Sequence, residues 1–434
     1  MTTTLAHEDV TTSEVVEVPL SPKTRVATGL VMLAVAASAL LFGMNPGDNK
    51  NAQFRLSSGD AAIVIPEVEV PLTAFCVVLA VVAAALGLYH LFRGFSAAAR
   101  PWVYAAIVFC FITAFLGWAT TGGAGSVLDV PALLRTTIFL AVPLALGAMA
   151  GVIGERSGVI NIAIEGQMLA GAFFAAVVGT VAHNLGAGVV GAVIAGALVG
   201  ALLAVFAIRY TVNQIVLGVV INLLILGLTS YLFSSLLQRY QDTLNAPGFF
   251  GRVKIPVLSE IPVIGPALFN TTWLTYAAYA VIIAVQFGLY RTRWGLRSRA
   301  VGEHPKAADT AGIDVNRLRF WNVVLGGAIA GLAGAAISVG SVGGFQADMT
   351  DGKGYIALAA VIFGRWTPLG AMGAALFFGF TNAVADILGI ISPPVTVPGQ
   401  FLSMLPYIAT IVVVAGLVGR IRAPAADGIP YVKS

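Results

Sequence analysis

The sequence predicts an all-α, polytopic transmembrane helical bundle of about twelve crossings, one of them a short or broken helix, and three observations carry that prediction. Hydrophobic residues make up 58% of the chain, charged residues only 10%, and the mean hydropathy is +0.91. That apolar share exceeds what a single soluble core hides. The apolar residues also come in long unbroken runs. Lipid admits only helices or closed barrels, because every backbone N–H and C=O must pair internally, and runs of ~20 residues select helices over the alternating pattern of a barrel. Finally, the basic residues concentrate in "RTRWGLRSRAVGEHPKAADTAGIDVNRLR" (291–319), which the positive-inside rule puts in the cytoplasm.

Taken in order, residues 1–25 form an N-terminal tail with Glu8, Asp9, Glu14 and Glu17, ending on Lys23 and Arg25. It is longer and more acidic than the charged start of a signal peptide, so the 26–44 run reads as a retained first span. Runs at 72–92 and 102–120 complete a group of three within 26–130. Cys76 and Cys110 lie inside these runs as small hydrophobes and imply no disulfide or metal framework. Further runs fall at 132–153, 164–182, 186–208, 214–236, 273–290, 320–342, 367–390 and 402–419, with a shorter one at 354–364. Counting from 291–319 puts both termini inside, and 45–71, 237–272 and "GGFQADMTDGKG" (343–354) outside. Arg420 and Arg422 belong inside, so the 354–364 run must cross or be part of a broken helix, with Arg365 and Trp366 at the inner face.

Glycine recurs at four-residue spacing in "GAMAG" (147–151), "GALVG" (196–200) and "GAIAG" (327–331). Small residues so spaced let helix backbones approach closely, and packing accounts for them.

"ERSGVINIAIEGQ" (155–167) breaks the apolar pattern with Glu155, Arg156, Asn161, Glu165 and Gln167. An ionisable group at membrane depth costs ~2.5–3.5 kcal/mol on insertion scales, so it faces protein or a watery path. Gly158 and Gly166 bracket the polar positions, and a helix broken between them frees backbone groups that are tolerable only in a cavity or in protein. Asn161 and Glu165, four apart, share one face of any helix that resumes there. Two readings stay open: a polar re-entrant element beside a substrate route, or an ordinary interhelical loop. Asn382 and Asp386 repeat the spacing, with Asp386 either near the outer edge or facing the interior, while Asn222 and Gln286 read as interhelical hydrogen-bond partners. His90 and His183 sit at helix ends without company for a metal or a proton relay.

In the basic segment, Pro305 suits a first helical position, Ala307, Ala308 and Ala311 favour continuation, and Gly312 suits a left-handed cap. Such a helix is well under the ~12 residues that stand alone in water and needs a surface to dock on. A loop that sets topology or touches anionic headgroups explains Arg291, Arg293, Arg297 and Arg299, but not the Pro-to-Gly cassette.

Three blocks in order, "GERSGVINIAIEGQMLAGAF" (154–173), "AVGEHPKAADTAGIDVNRLRFWNVVLGGAIAGLAGA" (300–335) and "GYIALAAVIFGRWTPLGA" (354–371), resemble the permease subunits of bacterial ABC importers of the nucleoside and simple-sugar group, related to branched-chain amino acid and ribose permeases. The resemblance implies a permease core at 131–420 with a cytoplasmic coupling segment at 291–319, a cytoplasmic C-terminal tail at 421–434, and an N-terminal extension at 26–130 outside the usual core. It implies a multi-pass transport subunit of the bacterial cell membrane, not an enzyme, taking up nucleosides or related simple sugars. Its implied partners are a cytoplasmic ABC ATPase that carries the ATP and Mg, a second and usually different permease subunit, and a substrate-binding lipoprotein or periplasmic protein. No cofactor is implied on this chain. By the same resemblance Gly302, Glu303, Pro305, Ala307, Ala308, Ala311 and Gly312 dock into a groove of the ATPase. Asn161, Glu165 and Gln167 line the substrate route, where amide and carboxylate hydrogen bonds and aromatic stacking suit a neutral nucleoside.

No G-x-x-x-x-G-K-[ST] phosphate loop occurs in the chain, which fits ATP hydrolysis on another subunit. It fits equally the alternative of a secondary transporter or channel for a small polar solute, but that alternative wants an ion route of intramembrane ionisable groups, and these are few and scattered. A membrane enzyme wants clustered His, Asp or Cys, whereas four histidines spread from His7 to His304 form none. The net charge of +4 is too weak to point to nucleic acid, and lipid is the expected surrounding partner.

Overall fold

A computed structural model of the chain describes residues 21–57, 64–123, 126–391, 393–395, 398–408, 411 and 422–433. Among these, ten helices are long and apolar enough to cross a membrane. They fall into two compact units.

The first unit holds α1 (Pro22–Met44), α2 (Leu72–Phe92) and α3 (Arg100–Ala119). Ser21 caps α1 by accepting the Thr24 N–H, and a proline starts both α1 and α3. Small residues meet inside: Ala36, Ala39, Ala80, Ala83 and Ala114 are buried, as are the free Cys76 and Cys110. Leu30, Val31, Val78 and Phe109 face outward. Helices apolar on both sides, packed through their small residues, are built for lipid. At the end of α2, His90 pairs with Thr28 Oγ1 of α1 at 2.8 Å and stacks on Phe95.

The second unit contains α4 (Val130–Glu155), α5 (Ile164–Val181), α6 (Leu185–Ala204), α7 (Gln214–Leu232), the short α8 (Gln241–Leu244) and α9 (Ile264–Leu268), and α10 (Trp273–Arg291). It continues with α11 (Arg293–Glu303), α12 (Pro305–Thr310), α13 (Val315–Ile337), α14 (Lys353–Phe363), α15 (Pro368–Ile390) and α16 (Gly399–Ser403). Wider π-type turns prolong α6, α7 and α13. The predicted 402–419 run lies largely outside the described residues.

Helices α4, α5 and α13 form the centre: every residue from Ala141 to Glu155 is buried, as is every one from Ile329 to Ile337. The glycine spacings do what packing requires. A Cβ added to Gly196 would strike the Gly327 carbonyl, and one added to Gly331 would strike that of Ala192, so α6 and α13 cross backbone to backbone. In α4, Gly147 and Gly151 receive Ala357 and Val361 of α14.

Candidate functional site

The site begins where two helices are interrupted. Helix α4 ends at Glu155, yet Ile164, the first residue of α5, packs against Gly147 and Gly151, one to two turns back along α4. Residues 156–163 therefore fold back by roughly 6–12 Å. This is the re-entrant reading of the polar stretch. Its freed backbone groups go to side chains of α7 and α13: Ile160 N–H donates to Gln214 Oε1 (2.8 Å), Asn222 Nδ2 donates to the Ile162 carbonyl (2.9 Å), and Arg319 Nε donates to the Ser157 carbonyl (2.9 Å). Asn222 Oδ1 also accepts Gly166 N–H (2.8 Å), serving one of the orphan donors at the buried start of α5. Asn222 is thus the interhelical partner its sequence position predicts, whereas Gln286 leaves its buried Oε1 without a partner.

Of the predicted route residues, Asn161 and Gln167 are fully buried and pair amide to amide at 3.0 and 3.2 Å. Asn161 precedes α5, so it does not share a helix face with Glu165 as the four-residue spacing predicts. Glu165 reaches a second helix start: Oε1 accepts Gly352 N–H (3.0 Å) and Oε2 accepts Gly354 N–H (2.5 Å), at the N-terminus of α14. A carboxylate there meets orphan donors and the positive end of the helix dipole.

Sequence counting assigns 343–354 to the outside, but the structure takes this segment inward. Phe345 packs edge-on against Phe173 of α5, and Gly352 and Gly354 reach Glu165, eight residues nearer the start of that helix. The segment therefore descends roughly 12 Å along α5. Helix α14 then runs parallel to α4, Ala357 beside Gly147 and Val361 beside Gly151. With 11 residues it is roughly 16 Å long, a half-span. On the descending segment Gln346, Asp348 and Asp351 are exposed, as is Tyr355 at the start of α14. Irregular polar backbone at the level of a helix middle is tolerated only against protein or water, so this face cannot be a lipid face. Above it, a cavity of about 310 Å³ is lined by Phe233, Gln238, Gln241, Asn245 and Gln346.

At the inner end the two interruptions are locked together. Trp366 Nε1–H donates to Glu155 Oε2 (2.5 Å), and Arg156 donates to the carbonyls of Trp366 (2.7 Å) and Arg365 (3.3 Å). Arg365 and Trp366 both hold left-handed backbone, φ 53° and 52°, as the chain turns from α14 into α15. Asp386 is exposed in the last turn of α15, in keeping with the edge reading.

The basic cassette is helical as its Pro-to-Gly pattern predicts: α12 starts at Pro305, and Gly312 is left-handed at φ 81°. The seven predicted docking residues divide by face. Ala308 is buried against Val301 and Val315, and Gly302 lies against the Arg156 carbonyl. Glu303, Ala307, Ala311 and Gly312 are exposed, with Lys306 and Thr310 beside them, and Pro305 is partly exposed. The surface on which this short helix rests is thus supplied by the chain itself. Gln214, Arg319 and Tyr355, whose hydroxyl oxygen accepts from Asn222 Nδ2 (3.1 Å), do not stand out in the sequence, and Trp366 stands out there only as a marker of the inner face, since each acts through a partner distant in sequence. The only local cue was polarity inside an apolar context.

Ten long apolar helices, buried polar pairs and interrupted helices mark a multi-pass membrane protein. Residues 133–415 match the model of a family described as branched-chain amino acid transport system, permease component. The chain belongs to that family, a multi-pass membrane permease of ABC type, which by family associates with an ATPase and a binding protein. It is 40% identical over 308 residues to the guanosine ABC transporter permease protein NupQ of Bacillus subtilis, covering 69% of this chain and 96% of that one. It is 38% identical over 309 residues to the nucleoside ABC transporter permease protein NupC of Lactococcus lactis, covering 70% and 97%. It is 34% identical over 308 residues to a putative glucose ABC transporter permease protein, TsgC13, of Haloferax volcanii, covering 66% and 92%. No solved structure matches the chain.

Proposed function

We propose that the chain imports nucleosides across the bacterial cell membrane as one half of a permease heterodimer. A cytoplasmic ABC ATPase carries the ATP and Mg, a lipoprotein or periplasmic protein delivers substrate, and both termini are cytoplasmic. The observation that carries this reading is the inward-dipping segment 343–352: its exposed Gln346, Asp348 and Asp351 lie level with helix interiors and need a water-lined route shared with a second subunit. The solute passes from the Gln238, Gln241 and Gln346 hollow to Asp348, Asp351 and Tyr355, where carboxylates accept from ribose hydroxyls and base N–H groups and the ring stacks on the base. Asn161, Glu165 and Gln167 form the wall behind that route. The exposed side of α12, Lys306, Ala307, Thr310 and Ala311, meets the ATPase, while Gly302 and Ala308 hold the helix in place. The likeness to two nucleoside permeases above the putative glucose permease supports nucleosides over sugars. Uptake of labelled guanosine, uridine and glucose by cells with and without the chain tests it. Loss of nucleoside but not glucose uptake is expected, and loss of glucose uptake alone would transfer the assignment to sugars.

A further inference from the structure

We propose that the C-terminal segment 422–433 is a coupling strap, tying the cytoplasmic cassette to the intramembrane elbow 155–163 through the buried Arg319, so that movement of α12 is delivered to the elbow. This rests on the ABC importer reading above.

The strap holds the cassette at three points. Ala426 N–H donates to the Gly302 carbonyl (2.8 Å), Ala425 N–H to Glu303 Oε2 (3.2 Å), and Lys433 pairs with Asp309 of α12 at 3.5 Å. Tyr431 packs on the Val301, Ala308 and Val315 cluster under α12. A six-residue helix does not hold its own shape in water, so these contacts fix where it stands.

Arg319, only 2% exposed, is the link inward. Its Nε donates to the Ser157 carbonyl of the elbow, while Nη1 donates to the Ile429 carbonyl (2.8 Å) and Nη2 to that of Ala426 (3.5 Å). A buried guanidinium is tolerated only when its donors are met, and two of its three acceptors here belong to the strap. The planar fork makes the three-way bridge directional, which an ammonium on a flexible stem does not. Two left-handed glycines let the parts close up. A Cβ on Gly158 (φ 87°) would strike Arg319, and one on Gly428 (φ 72°) would strike Ile160 of the elbow. The strap turn is closed by Asp427 N–H donating to the Pro424 carbonyl (3.0 Å). Arg319 is a positioning residue: it acts through the elbow, which it fixes relative to the cassette.

The test reconstitutes the full importer, with ATPase, second permease and binding protein, in proteoliposomes, and measures uptake per ATP hydrolysed alongside ATPase retention. Removing residues 423–434 is expected to leave the ATPase bound and active while uptake per ATP falls about tenfold. Arg319→Lys, which keeps the charge but not the fork, gives the same split to a smaller degree and decides the matter if the shortened chain fails to reach the membrane. Unchanged uptake per ATP in the shortened chain or, failing its insertion, in Arg319→Lys overturns the strap, as does loss of the ATPase on truncation, which would make the segment a docking surface. An unaltered complex that moves nucleoside without ATP overturns the importer reading itself, and is recognised because no variant is needed to see it.

Discussion

Glu165 and Gly354 are 189 residues apart in the chain, yet the carboxylate of one accepts the backbone N–H of the other at 2.5 Å, so the start of α5 holds the start of α14. Glu165→Ala leaves the N–H groups of Gly352 and Gly354 without their acceptor, at about 1–3 kcal/mol each. Glu165→Gln keeps one good acceptor and no charge. Detergent melting temperature and nucleoside uptake are expected to fall in the order wild type, Gln, Ala. Wild-type melting and uptake in the Ala variant would free Glu165 of this role.

The two faces of α12 separate docking from folding. Ala311→Glu, on the exposed side, is expected to abolish co-purification of the ATPase while membrane insertion and melting stay normal. Ala308→Glu puts a charge into the Val301 and Val315 cluster and is expected to loosen the cassette, seen as faster amide exchange over 301–318. Equal behaviour of the two variants in both assays would contradict the assignment of faces.

Burial raises the Asp427 carboxyl from 3.8 to about 7, against the lowering influence of the Gly428 N–H and the Arg319 guanidinium. Glu155 is the other acid facing it. The docked strap therefore binds more protons than the free one between these values, and docking weakens as pH rises from about 4 to about 7, then levels off. Hydrogen exchange over 422–433, corrected for its intrinsic pH dependence, is expected to be faster at about pH 8 than at about pH 5, and Asp427→Asn to remove the difference. Slower exchange at the higher pH would reverse the sign and discard this account.

The α6–α13 crossing depends on absent side chains. Gly331→Val drives a branched side chain into the Ala192 carbonyl and is expected to cost at least about 1–3 kcal/mol, lowering expression and melting temperature. Gly373→Ala, where an added Cβ meets nothing within 4 Å, is the control and is expected to be neutral.

The spans were legible because hydropathy and length are local: the 72–92 run is α2, and the 164–182 run is α5 to within a residue. The glycine spacings were legible for the same reason. Hydropathy placed the start of α13 at 320, but the helix begins at Val315, because Arg319 reads as a boundary until its acceptors on the strap are known. The dip of 343–352 reads in the sequence as an outside loop, because a polar, glycine-rich segment has the same composition whether it meets bulk water or an internal route. Glu165 stands out in the sequence as a carboxylate inside an apolar context, but its bonds are to backbone N–H groups, and no spacing rule reaches across 189 residues.

Helix α14 has consequences for how the chain is made. Too short to span and preceded by irregular polar backbone whose partners lie on other elements, this stretch is a poor cargo for lateral release into lipid by the insertion machinery. Its receiving groups, Gly147, Gly151, Glu165 and Asn222, all leave the ribosome earlier, so the cradle is waiting when the half-helix emerges. Biogenesis thus follows chain order, and a swap of the two halves of this unit would present the guest before its host.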